Sequence, residues 1–140
     1  MQPRAVLAPA INRQPSRARP PRPPASCAQV WDLRTNKPSA ELRGHTGSVT
    51  CVGSYQWQLA SGGGFNRGAD NDTVLSVDSS IRLWDLRTMA PVWQKEVPPP
   101  PGGTAHPKGD PVLCLQLLHD KILTTHGGKD WTARVWQVER

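Results

Sequence analysis

The sequence predicts an all-β fold assembled from repeated antiparallel sheets, about two and a half of them, and three observations predict it. The pentapeptide Trp31-Asp32-Leu33-Arg34-Thr35 returns unchanged as Trp84-Asp85-Leu86-Arg87-Thr88. Trp84 follows Trp31 by 53 residues and Trp136 follows Trp84 by 52, so a period runs through the chain. Between these tryptophans lie short stretches of alternating apolar and polar residues bounded by Gly, Pro, Asn and Asp, the pattern of half-buried strands joined by turns.

Taken in order, the chain opens with residues 1–26, which hold seven prolines and five arginines and no acid. Such a segment has too little apolar surface to offset chain entropy and is expected to be a disordered tail. Residues 27–43 are the closing part of a first repeat, a strand over 27–34 and an outer strand over 38–42, where Pro38 is tolerated at an edge. Residues 44–97 form one complete repeat: Gly44-His45 opens it, strands follow over 48–52, 57–61 and 80–87, and 90–97 is its outer strand. Residues 62–77, rich in Gly, Asn and Asp, interrupt it as a loop insertion. This insertion reads either as a tolerated surface loop or as a loop that binds a partner. Residues 98–110, with four consecutive prolines and then two glycines, form a stiff linker. Residues 111–140 are a degenerate last repeat, with strands over 111–118, 121–125 and 132–138.

The Gly44-His45 pair, followed by Trp84-Asp85 at the end of an alternating strand, resembles the WD-repeat family. The resemblance implies a partial β-propeller of about two and a half WD-repeat blades, each an antiparallel four-stranded sheet. It also implies a structural network in the complete repeat that runs from Trp84 through Ser61 and His45 to Asp78. The chemistry allows the chain, because an indole only donates, a hydroxyl and a neutral imidazole each do both, and a carboxylate only accepts. Asp78 stands six residues before Trp84, and Asp130 stands six before Trp136. In the last repeat Thr125 is the candidate hydroxyl, His106 a loose candidate for the histidine, and Gln137 replaces the aspartate after Trp136. Trp31 marks the same position in the first repeat.

Several chemistries find no support. No G-x-S-x-G elbow surrounds Ser61, so the Ser-His-Asp set reads as structural rather than as a hydrolase triad. Gly127-Gly128-Lys129 lacks the earlier glycine and the following Ser or Thr of a phosphate loop. His119 and His126 have no third ligand at workable spacing for zinc. No enzymatic activity, cofactor or metal is expected. With five of the seventeen basic residues in the tail, the other twelve nearly balance eleven acids, and no basic face offers itself to nucleic acid. Cys27, Cys51 and Cys114 sit in apolar strands as expected buried thiols. An odd count without close spacing fits a reducing compartment, cytoplasmic or nuclear. The apolar run over 5–11 is short and broken by Pro9, and no stretch approaches membrane-spanning length. The Arg-rich, acid-free start also admits a transit-peptide reading, against which its proline density argues.

What remains is recognition: a protein-interaction module that binds other proteins through loops and strand ends. Arg34 and Arg87 are its candidate partner-binding residues, because a Trp-Asp-x-Arg motif resembles that of substrate receptors of cullin-RING ubiquitin ligases, whose arginine faces the adaptor. The resemblance leaves alternatives open: an ordinary strand exit, a receptor of the F-box type, or a structural subunit. A repeat cannot bury its core alone, and the chain encodes fewer blades than a closed ring needs. It is therefore expected to be the C-terminal fragment of a larger propeller, or a truncated product without function. In the tail, Arg17-Ala18-Arg19-Pro20-Pro21-Arg22-Pro23 fits a motif that SH3 domains recognise.

Overall fold

The computed structural model describes residues 5–9, 27–67, 74–98, 110–127 and 131–139, all strand, turn or loop. The linker over 98–110, apart from its two ends, and the motif over 17–23 lie outside the described residues. Short alternating runs became strands because each places one set of side chains on either face of a sheet. The first sheet comprises β1 (Ala5–Pro9), β2 (Cys27–Asp32) and β3 (Lys37–Arg43), in that order. The central sheet runs β4 (Val49–Tyr55), β5 (Gln58–Gly63), then β8 (Ser80–Asp85) and β9 (Ala90–Glu96). Between β5 and β8 a two-stranded ribbon is formed by β6 (Phe65–Arg67) and β7 (Val74–Val77). The third sheet is β10 (Val112–Leu117), β11 (Lys121–His126) and β12 (Ala133–Gln137). Every pairing is antiparallel.

Two expectations are refined here. Ala5–Pro9, within the expected tail, pairs along β2, from Ala5 opposite Asp32 to Pro9 opposite Ala28. This gives the backbone groups on that side of β2 partners they otherwise lack. The insertion over 62–77 is not a bare loop. Gly62 and Gly63 belong to β5, and the ribbon follows it, tied to the sheet by Asp78 N–H donating to Gly64 O at 2.9 Å. The glycines serve packing rather than turning. A Cβ at Gly62 would lie 2.7 Å from Val112 Cγ1, and one at Gly63 2.5 Å from Asp78 Cγ.

The repeat is written into the irregularities of the backbone. Opposite Val30 and Trp31 of β2 the register skips Ser39 of β3, a bulge that recurs at the matching place as Val92 of β9, opposite Leu83 and Trp84 of β8. Another falls between Val49 and Cys51 in β4 and between Val112 and Cys114 in β10. The duplicated pentapeptide makes the same turn twice, closing on a residue with positive φ, Asn36 at 52° and Met89 at 56°.

Two cores hold the sheets face to face. Adjacent residues of the central sheet point opposite ways, and both ways are buried. Leu59 and Trp84 pack with Ala28, Val30 and Leu42 of the first sheet. Ala60, Ile81 and Leu83 pack with Val112, Leu115, Leu117 and Ile122 of the third. At roughly 1.5–3 kcal/mol for each fully buried large aliphatic side chain, these two layers are the main stabilising term. The central sheet, covered on both faces, carries what positions the site.

Candidate functional site

The centre of the molecule is a buried polar chain. Trp84 Nε1–H donates to Ser61 Oγ at 2.9 Å, Ser61 Oγ lies 2.7 Å from His45 Nε2, and His45 Nδ1 lies 2.8 Å from Asp78 Oδ2. The structure thus brings together all four residues expected from the complete repeat, across the ribbon that separates Ser61 from Asp78. A fifth member was not foreseen from spacing: Ser80 donates through both its hydroxyl and its backbone N–H to Asp78 Oδ1. Thr46 N–H adds a bond to Oδ2 at 2.8 Å, so Asp78 also organises the Gly-His loop. Burial by itself would raise the Asp78 carboxyl, but the hydrogen bonds from His45 and Ser80 outweigh it and hold the group below the usual carboxylate range. An ionised Asp78 only accepts, so Nδ1 carries the proton, Nε2 accepts from the Ser61 hydroxyl, and Ser61 accepts from Trp84. Every donor has one acceptor.

This order of groups matches that of a general-base triad, yet the surroundings differ. Ser61 is 0% exposed and lies beneath Trp84, itself 2% exposed.

In the third sheet the arrangement corrects one expectation. The hydroxyl that receives Trp136 Nε1–H, at 2.8 Å, is Thr124 and not Thr125. Trp136 pairs with Ile122 as Trp84 pairs with Leu59, and the residue two further on shares their face; that residue is Ser61 in β5 and Thr124 in β11. Thr125 points the other way and is exposed. The histidine is His126, whose Nε2 lies 2.7 Å from Thr124 Oγ1. It occupies the strand position that Gly63 holds in the central sheet, so the ring enters from β11 itself instead of from a preceding loop. The alternation Ile122, Thr124, His126 was the available signal. Asp130 and His106 lie outside the described residues. Burial, and next the charge of Arg134, push His126 down to about 4, against a smaller opposing effect of Asp110. Around Trp31, half-buried in β2, no such set is present among the described residues.

Arg34 and Arg87 lie in the equivalent turns of neighbouring sheets, with side chains 70% and 65% exposed. Each is forked onto the aspartate two residues before it. Arg87 Nη2 donates to Asp85 Oδ2 at 2.9 Å and its backbone N–H to Oδ1 at 2.8 Å. Arg34 repeats the pattern on Asp32 with longer side-chain contacts of 3.4 Å. The Arg87 side chain, then its backbone N–H, lower the Asp85 carboxyl; at Asp32 the backbone N–H leads. Each planar cation is thus held by its own aspartate, in turns that also carry Leu33 and Leu86. In the third sheet Gln137, itself exposed, donates to Asp120 O at 3.1 Å.

The cysteines differ from one another. Cys27 is buried, Cys51 is half-buried with its thiol pushed up to about 11 chiefly by burial, and Cys114 is exposed. The bulge after Val112 turns Cys114 outward while Leu115 and Leu117 face the core. Among the described residues no cluster of His, Cys, Asp and Glu is placed to hold a metal ion.

No protein-family model matches the sequence, and no curated protein matches it. Solved structures do. A computationally designed protein, Ika4, is similar over 82% of this chain, at 23% identity and a TM-score of 0.54. The structure of U3-55K is similar over 81%, at 20% identity and a TM-score of 0.58. A chain of the mitotic checkpoint complex is similar over 81%, at 25% identity and a TM-score of 0.58. This chain spans 56% of the designed protein and 28% and 30% of the other two. The neighbours include WD-repeat propeller proteins and designed propellers, and the all-β fold of stacked antiparallel sheets described above is propeller-like.

Proposed function

We propose that the chain is a non-enzymatic protein-interaction module, part of a larger propeller, that works in the cytoplasm or nucleus. Propellers are scaffolds for protein contacts at the coarse level, and one of the similar chains belongs to a named protein complex. The observation that carries the finer reading is the pair of Asp–Arg forks, Asp32–Arg34 and Asp85–Arg87, displayed in equivalent turns of adjacent sheets. A guanidinium fixed on one edge by its own aspartate keeps its remaining N–H groups and its flat face for a partner's carboxylate or aromatic ring. The free cysteines support the reducing compartment.

A second reading follows from the same two arginines: the substrate receptor of a cullin-RING ubiquitin ligase, the arginines meeting the adaptor protein. Arg34→Glu with Arg87→Glu, compared with wild type in capture of that adaptor, tests it. Capture lost in the double variant supports the receptor. Capture of adaptor unchanged, or absent in wild type, leaves the general interaction module and removes the ligase reading.

A further inference from the structure

We propose that Arg82 is an anion-binding residue that takes a carboxylate of a partner polypeptide at the end of the molecule where Gly44 lies. The fold leaves this cation unanswered. Arg82 is half-buried on β8, and its Nε–H is shielded from water without a hydrogen-bond partner. Among the described residues it enters no ion pair. Buried donors are nearly always paired, and a charged one costs more to leave alone than a neutral one. The carboxylates of the adjoining strand and loop are committed elsewhere. Glu41 accepts from Arg43 and Gln29, and Asp78 accepts from His45, Thr46 and Ser80. Glu96, opposite Ser80 on β9, is exposed and does not pair with Arg82.

The repeat shows what an arginine at this position otherwise does. Arg134 stands two residues before Trp136, as Arg82 stands two before Trp84. Arg134 Nη1 donates to Pro98 O at 3.0 Å, just beyond the outer strand of the preceding sheet. For Arg82 the backbone just beyond the outer strand β3 is that of Gly44. A Cβ there would lie 2.6 Å from Arg82 Nη1, 3.1 Å from its Cζ and 3.4 Å from Trp84 Cη2. Glycine therefore lets the guanidinium reach the backbone beside the edge of the Trp84 ring. Gly44 is exposed, so the head is held at the surface, and a ligand has little of this side chain left to order. One guanidinium matches one carboxylate in charge and in fork geometry. The ionised Asp78, bonded to the neighbouring His45, opposes the second charge of a phosphate. Gly44 follows Arg43, which pairs with Cys27 at the start of β2, whereas Arg34 follows the other end of that strand. The site thus lies away from the turns of Arg34 and Arg87 and does not rest on their role.

Nuclear magnetic resonance of the 140-residue chain, titrated with sodium acetate at constant ionic strength, tests it. The shielded Arg82 Nε–H exchanges slowly with water and serves as one reporter, assigned by its loss in Arg82→Lys. The Gly44 backbone N–H is a second reporter, present in both chains. In wild type both signals are expected to shift saturably, with a midpoint below about 50 mM acetate. In Arg82→Lys the Gly44 signal is expected to need at least about tenfold more, because an ammonium offers no fork. Arg82→Gln takes its place if the lysine variant loses the β circular-dichroism signal. Arg34→Glu with Arg87→Glu is expected to leave the titration unchanged, so this site and the adaptor reading fail separately. A wild type that does not saturate overturns the proposal. So does an equal shift in the Arg82 variant, or tighter binding of inorganic phosphate than of acetate.

Discussion

Ser61 shows how much one oxygen can hold. Ser61→Ala removes the acceptor of Trp84 Nε1–H and the donor to His45 Nε2, leaving two buried groups unpaired, and should cost on the order of 3 kcal/mol in urea denaturation. In the third sheet Thr124→Ala should cost about 1–3 kcal/mol, whereas Thr125→Ala should stay within about 0.5 kcal/mol. Equal losses at the two threonines would undo the face assignment. His126 predicts a pH dependence. Its folded value near 4 lies below the ordinary 6.5, so the unfolded chain takes up the proton first as pH falls. Stability is therefore full above about 6.5 and declines toward pH 4, by on the order of 3 kcal/mol. His126→Gln should flatten that part of a stability-against-pH curve; an unchanged slope would place the titration elsewhere. At this scale the central network was legible, because Gly-His, a serine, an aspartate and a tryptophan each carry only certain hydrogen-bonding roles. Ser80 and His126 were not read, since their parts depend on which strand face they share: only the alternation of Ile122, Thr124 and His126 pointed to the histidine, and no spacing marked Ser80.

At the scale of the element, the duplicated Trp-Asp-Leu-Arg-Thr gave the clearest forecast, and both copies fold into the same turn with the same aspartate-to-arginine fork. Strand order in the complete repeat was equally readable from alternation. The ribbon was not: glycine and asparagine announce a turn or a loop, and they do not say that β6 and β7 will pair beside it. Its attachment runs through backbone bonds of Gly64 and Phe65 with Ser48, and of Asp78 with Gly64. Replacing residues 67–74 with an Asn-Gly turn should thus keep the sheet within about 1 kcal/mol, since loop length alters closure entropy only slowly. A loss of the cooperative unfolding transition would mean that the ribbon is part of the core. Gly62→Val is predicted to act in the opposite way, forcing Val112 and the whole third sheet outward and destabilising by about 1–3 kcal/mol.

At the scale of the whole molecule, three sheets stack face to face, and among the described residues only the central one is buried on both sides. The period of the tryptophans made the stacking legible. The exposure of Cys114 on the outer face of the third sheet was not, because a cysteine in an apolar strand reads as a buried thiol wherever the sequence does not say which face is covered. The claim has a dynamic consequence, as amides open according to the burial and packing around them. Amide hydrogen exchange of the full chain, followed by mass spectrometry, tests it most directly. The account predicts that β5 and β8 exchange slowest, with β3, β9 and β12 at the outer edges fastest. Slowest exchange in β12, or equal protection across the three sheets, would contradict it.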